Sequence, residues 1–177
     1  NDLRVAIKKV NGGKFSTFAN EHLNAGDILE TMTPMGRFNT VLDPANEKHY
    51  VAFAAGSGIT PVMAHMRTIL QMEPKSSFTL VYGNKSTSSI VFKEEIEDMK
   101  DEYMDRLTVY HVLSREQNEI PIFEGRIDEE KCDAFMKYFI DPETIDDVFI
   151  CGPAPMIDAV RAKCTEAGLG RKQVHFE

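Results

Sequence analysis

The chain has 177 residues, 42% hydrophobic and 27% charged, which is long enough to bury a sizeable core in one domain, or in one domain and part of another. Its 28 acidic and 20 basic residues leave a formal net charge of −8, which disfavours nucleic acid or anionic lipid as the main partner while leaving room for a local basic patch that holds a phosphate. Three cysteines (Cys132, Cys151, Cys164) without close pairs argue against a disulfide framework, a zinc ribbon or an iron-sulfur cluster held in this chain, and they fit a reducing cytoplasm. No apolar run approaches membrane-spanning length and no signal peptide is visible. The chain opens on Asn1 and passes at once into a strand-like stretch, so its natural start is expected to lie further upstream.

In chain order, Leu3 to Val10 and Asp27 to Met32 read as strands with a short helix near Ser16 to Leu23 between them. The polar link Asn39 to Lys48 reads as a domain junction, dividing the chain into residues 1–42 and 43–177. Beyond it, strand and helix alternate: His49 to Ala54, helix 60–72, Phe78 to Tyr82, helix 89–100, Leu107 to Leu113, helix 128–140, Asp147 to Ile150, helix 155–167, and a last strand at Gln173 to Phe176. This alternation predicts an α/β fold with a five-stranded, parallel, doubly wound sheet covered on both faces. The helices carry apolar residues at helical spacing, as in Met63, Met66, Ile69 and Leu70, or Phe135, Met136 and Phe139. No repeat or low-complexity tract interrupts the pattern.

The strand ending at Ala54 runs into Gly56-Ser57-Gly58-Ile59-Thr60-Pro61 and from there into a helix. Glycines let the backbone turn without a Cβ in the way, and the free amides and dipole of a helix start attract an anion. Pro61 suits a first helical turn and stands where the G-x-G-x-x-G dinucleotide fingerprint has its third glycine. A plain strand-to-helix packing turn explains the same residues when they are taken alone. Three further segments follow successive strands, at the carboxyl edge where open α/β sheets bind ligands: Tyr82-Gly83-Asn84, Ser114-Arg115 and Cys151-Gly152-Pro153.

With the glycine turn, these segments resemble in order and spacing the nucleotide half of the ferredoxin-NADP reductase superfamily. Gly12-Gly13-x-x-Ser16 and Met35-Gly36-Arg37-Phe38 resemble the end of its antiparallel flavin-binding β-barrel. The stretches Val10 to Ser16 and Pro34 to Phe38 look most like oxygenase reductases of the phenylacetyl-CoA epoxidase reductase type. That superfamily's main flavin motif, Arg-x-Tyr-Ser/Thr, is absent, as is the Cys-x4-Cys-x2-Cys of a ferredoxin module. The expectation is a fragment: a barrel remnant at 1–42 and a complete NAD(P)-binding domain at 43–177.

The resemblance implies a role for each segment. Gly56 to Pro61 would receive the pyrophosphate of NADP or NAD, with Thr60 close to flavin and nicotinamide. Cys151, followed by Gly152, Pro153 and Met156, would sit beside the nicotinamide ring and set its reacting carbon against the flavin. Hydride transfer needs alignment more than an acid or base, so a small polarizable side chain suffices; the plainer reading is an inert buried cysteine. Ser114 and Arg115 would hold the 2′-phosphate of NADP, the plainer reading being a loop arginine paired with Glu116. Gly12, Gly13 and Ser16 would face the FAD pyrophosphate, or form a turn with Ser16 as a cap. Phe176 and Glu177 would lie near the flavin ring. His49, His65 and His111 lack metal-like spacing, and the acidic run Glu94 to Glu102 reads as a solvated helix face.

The implied enzyme takes a hydride from NADPH onto FAD and passes single electrons, through a 2Fe-2S cluster in a domain outside this chain, to an oxygenase component in aromatic degradation such as that of phenylacetate. The fragment alone is expected to be inactive and colourless, and to self-associate through its truncated barrel. The alternatives are the reductase domain of a flavohaemoglobin type, a non-catalytic nucleotide-binding module, and a simple Rossmann dehydrogenase. The last would carry an acidic residue after the second strand, where Tyr82-Gly83-Asn84-Lys85 has none.

Overall fold

A computed structural model describes residues 5–33 and 35–177. Its contacts divide the chain into two units, Asn1–Arg37 and Phe38–Glu177. Leu3, Arg4 and Pro34, which entered the expectations above, lie outside the described residues.

The first unit is built on one helix, α1 (Lys14–Glu21). Gly12 enters it with φ 74°, the left-handed region where glycine is at home, and the Gly13 amide then donates to Val10 O at 3.0 Å. Asn20 Nδ2 donates to Ile7 O (3.0 Å) and Ser16 O (2.8 Å), and Lys9 pairs with Glu21. The expected strands at Leu3 to Val10 and Asp27 to Met32 do not form among the described residues. A strand needs a neighbour to take up its amides and carbonyls and a second layer to cover its apolar side. Residues 7–10 are instead tied to α1 by side chains, and Ile28 stays 94% exposed.

The second unit holds five strands: β1 (His49–Ala55), β2 (Ser77–Asn84), β3 (Leu107–Leu113), β4 (Asp147–Cys151) and β5 (Val174–Phe176). They lie in the order β3-β2-β1-β4-β5 with every neighbouring pair parallel. Four helices alternate with them: α2 (Ile59–Met72), α3 (Lys93–Glu102), α4 (Glu129–Tyr138) and α5 (Ala154–Glu166). Strand pleating sends alternate side chains to opposite faces. Thus Tyr50, Ala52 and Ala54 pack with Ile59, Met66 and Ile96 on the α2/α3 side. Val51 and Phe53 pack with Cys132, Phe135 and Val160 on the α4/α5 side. Both faces are covered, so the central strands read as nearly continuous apolar runs. Each large side chain buried this way contributes about 1.5–3 kcal/mol.

Local chemistry sets the helix limits. The Asp128 carboxylate caps α4 by accepting from Lys131 N at 3.0 Å, and α5 carries a proline in its first turn. The helix expected at 89–100 begins only at Lys93. Before it, Thr87–Ser89 form a separate 3-10 turn closed by reciprocal bonds of Ser86 and Ser89, and Phe92 has φ 59°. Serine and threonine hydroxyls favour such turns over helix interiors. The division between units falls ahead of the polar link Asn39 to Lys48, and Phe38 and Leu42 pack on the α2 side of the core.

Because all strands are parallel, all end at one edge of the sheet. The chain builds outward from β1 through β2 to β3 and then returns to the far side of β1 as β4. The reversal in strand order therefore lies between β1 and β4, where open α/β sheets form their ligand crevice.

Candidate functional site

The glycine turn interlocks with the end of β4. A Cβ on Gly58 would lie 2.1 Å from Cys151 O and 2.5 Å from its carbonyl carbon, so no other residue fits there without moving one strand end. A Cβ on Gly152 would meet Met156 Cε at 2.7 Å and Ala55 Cβ at 3.2 Å. The two glycines thus let β1 and β4 close on each other, with Gly58 buried in the join and Gly152 partly exposed. Gly56 has φ 55°, and its carbonyl accepts from the buried Tyr82 hydroxyl at 2.9 Å. The Gly56–Ser57 peptide is planar, so the Ser57 amide, opposite that carbonyl, is turned away from Tyr82. Ile59 is buried, while Thr60 and Pro61 remain partly exposed on the first turn of α2.

At the end of β4, Cys151 is partly buried. Burial, helped by the negative charge of Glu177, pushes its thiol above the usual value of 9.0, so it is a neutral thiol at physiological pH. Glu177 itself is drawn to this edge by its amide, which donates to Ile150 O at 3.1 Å. Pro153 caps α5, and Met156, one turn in, is buried behind Gly152.

The ends of β2 and β3 are joined beyond the strands proper. Ser114 N donates to Asn84 O (2.9 Å) and Arg115 N to Lys85 O (2.8 Å). Gly83 has the Ile127 side chain 3.2 Å from where its Cβ would be. Asn84 is 8% exposed and its Nδ2 has no hydrogen-bond partner; among the described residues the other such buried side-chain atom is His111 Nδ1. Arg115 is exposed. The Glu116 carboxylate does not pair with it: both its oxygens are taken by Thr87, one by the amide and one by the hydroxyl, each at 2.7 Å.

The fold therefore gathers Gly56 to Pro61, Tyr82 to Asn84, Ser114, Arg115, Cys151 to Pro153, Met156 and Glu177 along one sheet edge. Gly12, Gly13 and Ser16 belong to the first unit. There Ser16 Oγ accepts from Val10 N at 3.1 Å, and a Cβ on Gly13 would lie 2.5 Å from that oxygen. Reasoning from sequence missed the Tyr82 bond to Gly56 and the Thr87–Glu116 clasp, since neither follows from local spacing. His49 sits at the opposite edge between Thr79 and Thr144, and His65 stacks on Phe149. Among the described residues no cluster of His, Cys, Asp and Glu could hold a metal ion, and no helix is long and apolar enough to cross a membrane.

Residues 53–162 match the family model described as the oxidoreductase NAD-binding domain. The chain is 40% identical over 176 residues to a component of the 1,2-phenylacetyl-CoA epoxidase of Escherichia coli, covering 99% of this chain and 49% of that protein. It is 30% identical over 175 residues to the ferredoxin reductase component of a 3-ketosteroid-9-alpha-monooxygenase from Rhodococcus rhodochrous, covering 98% of this chain and 45% of that protein. The chain thus spans about half the length of the curated relatives it matches. Among solved structures, the cytochrome b5 reductase domain of Ulva prolifera nitrate reductase superposes with a TM-score of 0.76 at 23% identity, over 98% of this chain and 71% of that one. With the parallel order and the glycine turn at the β1/β4 reversal, the chain belongs to the oxidoreductase NAD-binding family, with the ferredoxin reductase-like fold.

Proposed function

We propose that this chain is the nucleotide-binding part of an NAD(P)H-dependent flavoprotein reductase, with residues 43–177 as the nucleotide domain and 1–42 as the end of a flavin-binding barrel. The observation that carries it is the interlock of buried Gly58 with the Cys151 carbonyl at the strand-order reversal, which brings the partly exposed Gly56 and Gly152 and the exposed Ser57 together where open α/β sheets bind dinucleotides. The glycine turn and the opening of α2 hold the pyrophosphate through backbone amides. Ser114 and Arg115 bind a 2′-phosphate, so NADP is preferred to NAD. Cys151, as a neutral thiol, and Thr60 shape the pocket that holds the nicotinamide ring, and Glu177 closes its far side. Gly12, Gly13 and Ser16 face the FAD pyrophosphate; the Ser16 oxygen already accepts from Val10 and keeps its O–H to donate.

When bound, FAD supplies the change from two-electron hydride chemistry to single-electron transfer. The protein's part is to align the nicotinamide and exclude water. An oxygenase component would be the final acceptor, a reading the names of the two relatives support, with a 2Fe-2S centre implied only by the family resemblance and carried outside this chain. Three free cysteines, two of them buried with thiols pushed up to about 12, support a cytoplasmic location. Exposed Val5, Ile28, Met32 and Met35 in the first unit support self-association of the chain when it is isolated.

The test has two arms. Arg115→Ala should weaken NADP binding to the chain by about 1.5–3 kcal/mol while sparing NAD; equal losses would remove the 2′-phosphate role. In the flavin-loaded parent enzyme, Cys151→Ala should slow flavin reduction at saturating NADPH with little change in affinity. An unchanged rate would reduce Cys151 to packing.

A further inference from the structure

Arg115 stands next to an acid in sequence, and Glu116 is the carboxylate nearest to it along the chain. The Glu116 carboxylate is engaged by Thr87 instead: one oxygen accepts from the Thr87 amide and the other from the Thr87 hydroxyl, each at 2.7 Å. Lys93, at the start of α3, adds a nearby positive charge that favours the same ionised carboxylate. Thr87 itself is held by the 3-10 turn Thr87–Ser89, closed at both ends by Ser86 and Ser89. The loops carrying the two partners are also tied main chain to main chain, by Ser114 N to Asn84 O and Arg115 N to Lys85 O. A rigid, bidentate clasp therefore holds the one carboxylate best positioned along the chain to compete for the guanidinium.

We propose that Thr87 is a specificity-determining residue for the phosphorylated nucleotide, acting by sequestering Glu116 so that Arg115 is left to bind a 2′-phosphate. Thr87 does not touch the nucleotide in this scheme; it is a positioning residue that works through Glu116. The inference rests on the proposed phosphate role of Arg115 and adds the reason why that arginine is available. It also settles the sign of each substitution. Removing the Thr87 hydroxyl frees one carboxylate oxygen to pair with Arg115 and to repel an incoming phosphate. Removing the Glu116 charge makes the clasp unnecessary.

The experiment is titration calorimetry of the chain with 2′,5′-ADP, which carries the distinguishing phosphate, and with 5′-AMP, which lacks it. Thr87→Val should weaken 2′,5′-ADP by about twofold to fivefold, the range of an exposed ion pair, and leave 5′-AMP unchanged. Thr87→Ser keeps both donors and should bind as the parent chain does. Adding Glu116→Gln to Thr87→Val should restore 2′,5′-ADP affinity to the parent level or above, which a purely structural role for Thr87 would not do. A double variant that stays weak, or a Thr87→Val loss shared equally by 5′-AMP, overturns the proposal. Arg115→Ala separates the two levels. If it costs 2′,5′-ADP affinity while Thr87→Val does not, the clasp is overturned and the phosphate reading stands. If Arg115→Ala costs nothing, both fall.

Discussion

The two ends of the parallel sheet treat their polar groups differently. At the end where the strands begin, polar groups are spent on one another. The buried Glu73 carboxylate accepts from Tyr50 Oη (2.9 Å), Ser76 Oγ (2.8 Å), Asn46 Nδ2 (2.8 Å) and Asp43 N (3.1 Å). The Arg106 guanidinium donates to the carbonyls of Leu70, Glu73 and Ser76. Asp147 serves both Lys48 (3.1 Å) and His175 (2.7 Å), and both ring nitrogens of His49 bond to threonine hydroxyls. At the end where the strands stop, the buried Asn84 amide nitrogen has no partner and Arg115 is left unpaired by its neighbouring acid. Two glycines there hold strand ends together by having no side chain at all. A parallel βα repeat explains the asymmetry: helix openings, with their unbonded amides, gather at the strands' carboxyl ends, so that edge keeps binding capacity while the other can be saturated for stability.

The sharpest way to break this comparison is Gly58→Ala. Its methyl would sit 2.1 Å from the Cys151 oxygen, and separating two backbones should cost more than about 3 kcal/mol and abolish nucleotide binding together. Denaturant unfolding and calorimetry on one sample decide it; normal binding in a folded variant would show that the interlock is dispensable.

Next comes Glu73→Ala at the saturated end, which removes the acceptor of four donors, two of them (Tyr50 Oη and Ser76 Oγ) buried, and should cost about 2–3 kcal/mol with no effect on the nucleotide affinity of the remaining folded protein. Burial alone would raise the Glu73 carboxyl, but the bonds from Asn46, Asp43, Ser76 and Tyr50 together hold it below its ordinary value of 4.5. A depressed folded value means that this stabilisation is complete above the ordinary carboxylate range and is lost as pH falls through the folded value. The stability gap between the parent chain and Glu73→Gln should accordingly narrow as pH falls below 4.5; a gap that widens in acid would reverse the assignment.

Smaller effects sharpen the contrast. Tyr82→Phe removes the bond to Gly56 O and should cost about 1 kcal/mol, weakening NADP and NAD alike because both carry the pyrophosphate. A selective loss of NADP would move Tyr82 to the 2′-phosphate end of the site. Glu47→Ala breaks only an exposed 3.9 Å pair with Lys75, and its unfolding free energy should shift by no more than about 0.5 kcal/mol.

Much of the second unit was legible in the sequence because its signals are local. The apolar runs at 49–54, 78–82, 107–113 and 147–150, the helical spacing of Met63, Met66 and Ile69, and the glycine turn at 56–58 each depend on residues a few positions apart. Parallel pairing followed from the alternation, since parallel strands need a crossover between them. The same local reasoning failed for 5–10 and 27–32, where alternation was present but no neighbouring strand took up the backbone. A strand is a property of a pair, whereas a helix bonds to itself. Tertiary structure alone decided the rest: that β4 lies beside β1, that Gly58 rests on the Cys151 carbonyl, that Tyr82 holds Gly56, and that Glu116 reaches Thr87. Each joins residues far apart in the chain, and which of them meet depends on strand order and close backbone approach, neither of which any local run of side chains encodes.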